Sequence, residues 1–430
     1  MAGTMELARY KPYQCDHLFL LIGANPLPNY VAARLLTGNN ATIHLLYSED
    51  TQTRNLPSTR DEAGYLADVL QTDSALQSRG VQVAPPRGIH DSNGQAIEKQ
   101  LGKICNDAGL TSGTKTSIGL NYTGATKPMS VHTYRTLASR FGTRCRFSYL
   151  DPRRMALWYD NSLDPYRISH TDVALSIQTL AAMHGYTVEK PPRQTPEFPD
   201  LLPFLKEIYQ TSKGMCAWTA WLDTKMAAFP EHELLTNIRQ HFLNLCAGRA
   251  DTNLLAERLG RTKHKGLVSY DKAFRSGWLE DVALEAIIAN SREFHIEHYG
   301  AEIKPTPNPQ REAQFEQKGL KVPEFDLDVA AMLGYQLFAV SCIASERASG
   351  ETKKHLFEAY MRARQLGGDE ARIALVCYVD DGQKMELESV IQRNWHVQEN
   401  IKVFGRSDIP DLAEKFRDWF CTNSLYRGGC

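Results

Sequence analysis

The 430-residue chain has almost no surplus of either charge: 49 basic against 50 acidic side chains leave a formal net of −1. A near-neutral protein has no long-range field to draw it onto nucleic acid or an anionic membrane, so a phosphate-bearing partner must be held by local groups. Long apolar runs are missing too. The longest uncharged stretch, from Ala330 up to Glu346, is interrupted by Gly334, Gln336 and Ser341, too polar to cross a bilayer. The opening Met-Ala-Gly-Thr-Met-Glu carries no basic region followed by an apolar one, so a soluble, cytoplasmic protein with no membrane partner is expected. The 9 cysteines are scattered singly, without a C-x-x-C pair or a His/Cys cluster; zinc and disulfide readings both fail, and buried reduced thiols are expected. No G-x-G-x-x-G dinucleotide fingerprint is present. Nor is a P-loop: Gly119 and Gly124 have its spacing, but Ala125-Thr126-Lys127 stands where Gly-Lys-Ser/Thr would follow directly.

What is present is an ordinary globular composition, with 42% hydrophobic and 23% charged residues. At about 150 residues per domain the length suggests roughly three units. The apolar run DHLFLLIG (Asp16 to Gly23) reads as a strand buried on both faces, and Pro26 and Pro28 precede a helix. A strand at Ala41 to Ser48 leads to Ser58 and Thr59, which with Asp61 and Glu62 form a helix-capping signature. The strand SIGLNY (Ser117 to Tyr122) runs into a loop and another helix. Strand and helix alternate, so a parallel, Rossmann-like sheet is expected over residues 1–155. From Asp160 helices take over, with Thr171 and Asp172 as caps, and five prolines from Pro191 to Pro203 mark a linker; a helical insert is assigned to 160–260. Residues 265–430 read as a β-β-α-β core, which completes an α/β fold class.

Two loops leave the carboxyl edge of the first sheet, where open α/β sheets bind ligands: Gly23 to Asn29, and Thr123 to Met129. Gly124 permits close backbone approach to a ligand, Thr123 and Thr126 offer hydroxyls, and Lys127 sets a cation at a helix N-terminus that already favours anions. A phosphate site fits these residues; a capped turn with a solvated lysine fits them as well. The stretches LFLLIGANPLPNYVAARLL and NYTGATKPMSVHTYRTL closely resemble the two signature motifs of the CRISPR-associated Rossmann fold, the sensor domain of type III CRISPR accessory proteins. That resemblance, covering roughly the first 150 residues, implies a homodimer that binds a cyclic oligoadenylate, most often cyclic tetra-adenylate, across its axis. On this chain it implies that Asn25, Thr123, Gly124, Thr126, Lys127 and Met129 line the pocket. Some family members also cleave their ligand slowly, a role open to Thr123 and Lys127.

In EFDLDV, Glu324, Asp326 and Asp328 alternate with Phe325, Leu327 and Val329, which puts three carboxylates on one strand face. Such a face is either solvated or neutralised by a hard divalent cation, Mg²⁺ or Mn²⁺. Upstream, GWLEDVALEAII (Gly277 to Ile288) reads as an amphipathic helix flanked by Glu280. This order resembles the PD-(D/E)xK nuclease domain often fused to that sensor. The resemblance implies a metal held by Glu280 and Asp328, with Asp326 competing, and a DNA or RNA substrate. The chain departs from the family at the expected E-x-K triplet, which reads Ser341-Cys342-Ile343. Either the lysine has moved to Lys353 or Lys354, with Glu346 or Glu358 as replacement ligand, or catalysis is lost and only the fold is kept.

Weaker signals are a basic stretch with interleaved aromatics from Arg258 to Arg275, suited to a phosphate track or a solvated loop, and His295 with His298, read as surface or core histidines. Arg362, Arg364 and Arg372 suit either phosphate contact or a capped helix end.

Overall fold

The computed structural model describes residues 7–49, 58–113, 115–197, 202–209, 277–317, 319–322, 326–345, 347–395 and 401–424, with isolated positions between 199 and 216. The later half of the expected helical insert, the basic stretch Arg258 to Arg275, Glu324 and Glu346 lie outside the described residues.

The N-terminal half is built on β1 (Cys15–Leu21), β2 (Thr37–Ser48), β3 (Gln82–Val83), β4 (Arg87–Ile89), β5 (Ile118–Asn121), β6 (Cys145–Asp151), β7 (Ala156–Tyr159) and β8 (Tyr166–Arg167). They form one 8-stranded sheet in the order β3-β2-β1-β5-β6-β7-β8, with β4 also on β2. Pairing is parallel from β3 to β6 and antiparallel from β6 to β8. The expected Rossmann-like sheet is therefore present, and it runs on to Arg167. Leu18 to Leu21 are fully buried because helices cover both faces. The helices α1 (Leu27–Leu36) and α2 (Arg60–Thr72) share one core with the sheet. On the other face lie α3 (Gly94–Asp107) and α4 (Lys127–Phe141).

Two expected caps serve other partners. Thr59 Oγ1 donates to the carbonyl of Ile22 at 3.0 Å and Ser58 Oγ to that of Ser48 at 2.6 Å, so both tie strand ends down instead of capping α2. Asp172 accepts from the Tyr10 hydroxyl at 2.7 Å and from Arg9, while Ser176 caps the short helix Ile177–Ala182. Buried carboxylates recruit the nearest donors, here Arg9 and Tyr10 from far away in sequence beside the local Ser169 N–H at 2.6 Å.

A two-residue ladder of β9 (Tyr186–Thr187) with β11 (Thr306–Pro307) joins the halves. The second sheet, in the order β10-β12-β13-β14-β15, comprises β10 (His298–Ile303), β12 (Leu327–Leu333), β13 (Gln336–Ile343), β14 (Arg372–Cys377) and β15 (Ile401–Phe404). It is antiparallel up to β13 and parallel from there on. One face is covered by α5 (Trp278–Ser291) and, across it, by the C-terminal helix Leu412–Asn423; the other takes α6 (Gly350–Gly367). A further helix, α7 (Asp381–Trp395), connects β14 to β15. The β-β-α-β core is thus β12-β13-α6-β14.

Expected and observed details differ at three places. Helix α5 is buried on nearly all sides, Glu280 and Asp281 included, instead of showing an amphipathic stripe. The proline-rich segment is no free linker, since Arg193 bridges to Ala301 on β10 and its guanidinium holds Asp281 at 2.6 Å. Of the cysteines, Cys216 is exposed and Cys421 is disulfide-bonded. No helix among the described residues is long and apolar enough to cross a membrane.

One apolar cluster runs through both halves, from Leu18 and Val31 to Leu337, Leu356 and Val403. Polar contacts cross the same seam: Leu175 N–H donates to the carbonyl of Gly334 at 3.1 Å, and His184 Nε2–H to that of Leu366 at 2.9 Å.

Candidate functional site

The chain leaves β1 for β2 on one side while β5 lies on the other, so the loops after β1 and β5 open a crevice where the winding reverses, the place where doubly wound sheets hold ligands. These are the two loops singled out in the sequence. Their backbones touch. A Cβ on Gly124 would collide with the carbonyl oxygen of Leu21 and stand 2.7 Å from the nitrogen of Gly23, while one on Gly23 would stand 3.3 Å from the nitrogen of Ala125. Gly124 is thus required by the neighbouring loop. Ala125 completes the bend at φ +76°.

The two hydroxyls are engaged within the protein. Thr123 Oγ1 donates to Asn121 Oδ1 at 2.6 Å and accepts Leu150 N–H at 2.7 Å. Thr126 Oγ1 donates to the Asp91 carbonyl and caps α4 by accepting Met129 N–H at 3.3 Å. They stiffen the crevice, and a cleavage role would require Thr123 to leave Asn121. Met129 is 0% exposed and packs in the core beneath α4, so its side chain does not line the crevice. Asn25 Oδ1 accepts Leu27 N–H at 3.0 Å, and its amide nitrogen lies against Gly368 of the other half. Lys127, exposed on the first turn of α4, remains the cation of this loop.

Sequence reading missed a neighbouring wall. The register Asn121↔Ser148 ends the pairing of β5 with β6, yet β6 continues to Asp151 and turns back into β7. The hairpin tip therefore stands beyond the edge of β5, beside Thr123. It carries the exposed Arg153 and Arg154. Asp151 Oδ1 accepts their backbone N–H groups at 3.0 and 3.3 Å and fixes the tip. The signal was Asp-Pro-Arg-Arg, a turn sequence between two strands. Lys127, Arg153, Arg154 and the N-terminus of α4 together suit a ligand with several phosphates.

The second candidate site separates its members. Asp328 lies opposite Ser341, since Val329 pairs with Val340. Its Oδ2 accepts Cys342 N–H at 2.7 Å and the Ser341 hydroxyl at 3.2 Å. Burial first, then the carboxylates of Asp328 and Glu280, push the Cys342 thiol well above its usual range, which places both acids around this thiol. Glu280 is 5% exposed. Asp326 precedes β12, is solvent-exposed and pairs with Arg362 at 3.3 Å, so it does not join Asp328. Lys353 pairs with Glu386 of α7 at 3.0 Å, and Lys354, largely exposed, with Glu358 at 3.6 Å. Lys354 is thus paired with the carboxylate that the sequence offered as replacement ligand. Arg364 binds the Tyr360 hydroxyl at 2.6 Å, and Arg372 holds the carbonyls of Glu370 and Ala371, so these arginines finish the end of α6. His295 stacks on His170 with ring centroids 5.3 Å apart, apart from any ligand set. Among the described residues no group of three or more His, Cys, Asp or Glu side chains could hold a metal ion. Glu280 and Asp328 are two of the carboxylates that Mg²⁺ or Mn²⁺ would take, while the E-x-K ligands are lacking at Ser341-Cys342-Ile343.

No protein-family model matches the chain, and no curated protein matches it either. Solved structures do match over nearly the whole length. Can2 from Sulfobacillus thermosulfidooxidans, determined in complex with cyclic tetra-adenylate, shares 14% identity at a TM-score of 0.62, with 96% of this chain and 99% of that chain covered. Protein VC1899 from Vibrio cholerae shares 13% identity at a TM-score of 0.62, with 95% and 98% covered. Because the match takes in the parallel sheet and the β-β-α-β core together, the chain has the whole two-part fold of these proteins.

Proposed function

We propose that this chain is a cyclic oligoadenylate-activated accessory effector of type III CRISPR antiviral defence, a homodimer whose N-terminal crevices hold the messenger and whose C-terminal half delivers the response. The observation that carries the reading is the crevice where the winding of the first sheet reverses, rimmed by Lys127 at the start of α4 and by Arg153 and Arg154 on the β6–β7 hairpin. A near-neutral chain concentrates cations there, as a polyanion site requires. The fold shared with Can2, whose structure holds cyclic tetra-adenylate, supports the choice of ligand. Calorimetry with cyclic tetra-adenylate against linear tetra-adenylate tests it; equal or absent binding of both sinks the sensor reading.

For the output there are two readings. In the first, ligand binding switches on a metal-dependent nuclease acting on DNA or RNA. In the second, the C-terminal half keeps the nuclease fold without its chemistry and signals by its change of shape. Ser341-Cys342-Ile343, standing where E-x-K would be expected, favours the second. Incubation of ligand-loaded protein with Mn²⁺, supercoiled plasmid and single-stranded RNA separates them: ligand-dependent cleavage of either supports the first.

A further inference from the structure

The halves meet beneath the first crevice loop, at the turn Gly368–Glu370 that ends α6. Gly368 has φ +65°, and a Cβ there would run into the side-chain amide nitrogen of Asn25 and lie 2.8 Å from Oε2 of Glu370. Asn25 and Glu370 therefore border one spot, which only glycine leaves open. Glu370 is 1% exposed, and its Oε1 is buried without a hydrogen-bond partner. The hydroxyl of Tyr335, in the β12–β13 turn, is likewise buried without a partner. Tyr335 and Asp151 both interact electrostatically with Glu370, so the loop after β1, the end of β6 and the effector half meet here. Buried polar groups that one arrangement leaves unsatisfied favour any other arrangement that pairs them, and a small turn of Asn25 toward Glu370 would do so.

We propose that Glu370 is a positioning residue for the first crevice loop: through Asn25 it couples the conformation of that loop to the end of α6, so that crevice and nuclease-fold sheet shift together. Helix α6 is built to carry such a shift. Its Leu356, Tyr360, Ala363 and Leu366 are buried against the second sheet, and its far end reaches α7 through Lys353 and Glu386. The coupling rests on the protein's own contacts, and only the identity of the ligand rests on the function proposed above.

Hydrogen exchange on the full chain tests this with Asn25→Ala, Glu370→Gln, the double variant and, as a control on the exposed side of α3, Lys103→Ala. At pH 7 Asn25→Ala is expected to speed exchange at the end of α6 and Glu370→Gln, which no longer titrates, to slow it, each about fivefold, with the double variant no different from Glu370→Gln and the control unchanged. Cyclic tetra-adenylate should alter exchange there in the wild type but not in Glu370→Gln that still binds it. Additive single effects, an unchanged α6 in Asn25→Ala, or a full wild-type ligand response in Glu370→Gln overturns the coupling. Failure of the wild type to bind the ligand counts against the sensor reading alone, and the ligand-free variants still decide the coupling.

Discussion

The carboxylate of Asp328 accepts the backbone N–H of Cys342 at 2.7 Å, so the residue that the nuclease resemblance assigns to metal also holds the end of β13. Truncation to alanine strands that amide, at a cost of about 1–3 kcal/mol. Asp328→Asn retains an oxygen for it and should melt close to the wild type, with Asp328→Ala well below. Loss of cleavage shared by both variants, with stability lost only in alanine, would assign Asp328 to chemistry; loss tracking the melting temperature would assign it to structure.

Gly124→Ala forces a methyl group onto the backbone of Leu21 and Gly23. No flexible side chain can yield there, so destabilisation of about 2 kcal/mol or more is expected, with loss of ligand binding. Urea titration measures the first, and a variant as stable as the wild type would show that the loops do not touch as described.

Arg153→Ala and Arg154→Ala change exposed side chains on a tip that backbone bonds to Asp151 fix, Arg154 adding an exposed ion pair to the same carboxylate at 3.3 Å. Stability should hold within about 0.5 kcal/mol while affinity for cyclic tetra-adenylate falls about tenfold, and less at high salt. Unchanged affinity in the double variant would remove the hairpin from the site.

Burial pushes the Glu370 carboxyl up from 4.5 to about 8; Asp369 and Asp151 add to the rise, against its own backbone bond and Arg372. The folded state thus keeps a proton that the unfolded chain gives up. Stability from this group is full below pH 4.5 and is lost as pH rises through 8, at a slope on the order of 1 kcal/mol per pH unit. Denaturant titrations of Glu370→Gln should match the wild type near pH 4.5 and gain on it steadily towards pH 8; a constant difference would contradict the burial of a neutral acid.

His184 shows the opposite sign. Burial lowers it from 6.5 to about 4, opposed by its bond to Leu366 and aided by Arg311. The neutral folded ring contributes stability above pH 6.5 that is lost as pH falls through 4. His184→Gln keeps a donor for the Leu366 carbonyl and should flatten the acid limb of the stability profile; an unaltered limb would place the titrating group elsewhere, His44, lowered to about 4, being the next to test.

Local pattern was enough to find the crevice. The buried run Leu18 to Leu21, the prolines at the start of α1 and the strand before Thr123 decide which residues end strands at the carboxyl edge, because side-chain period and turn chemistry are short-range properties. The β-β-α-β order was legible for the same reason. What those residues do was decided by partners distant in the chain. Asn25 faces Gly368, Thr123 is held by Leu150, and Asp326 turns to Arg362 while Asp328 turns to Cys342, although strand alternation puts both acids on one face. A carboxylate, amide or hydroxyl takes whichever donor or acceptor the packed fold brings within about 3 Å, and sequence spacing carries no record of that neighbour.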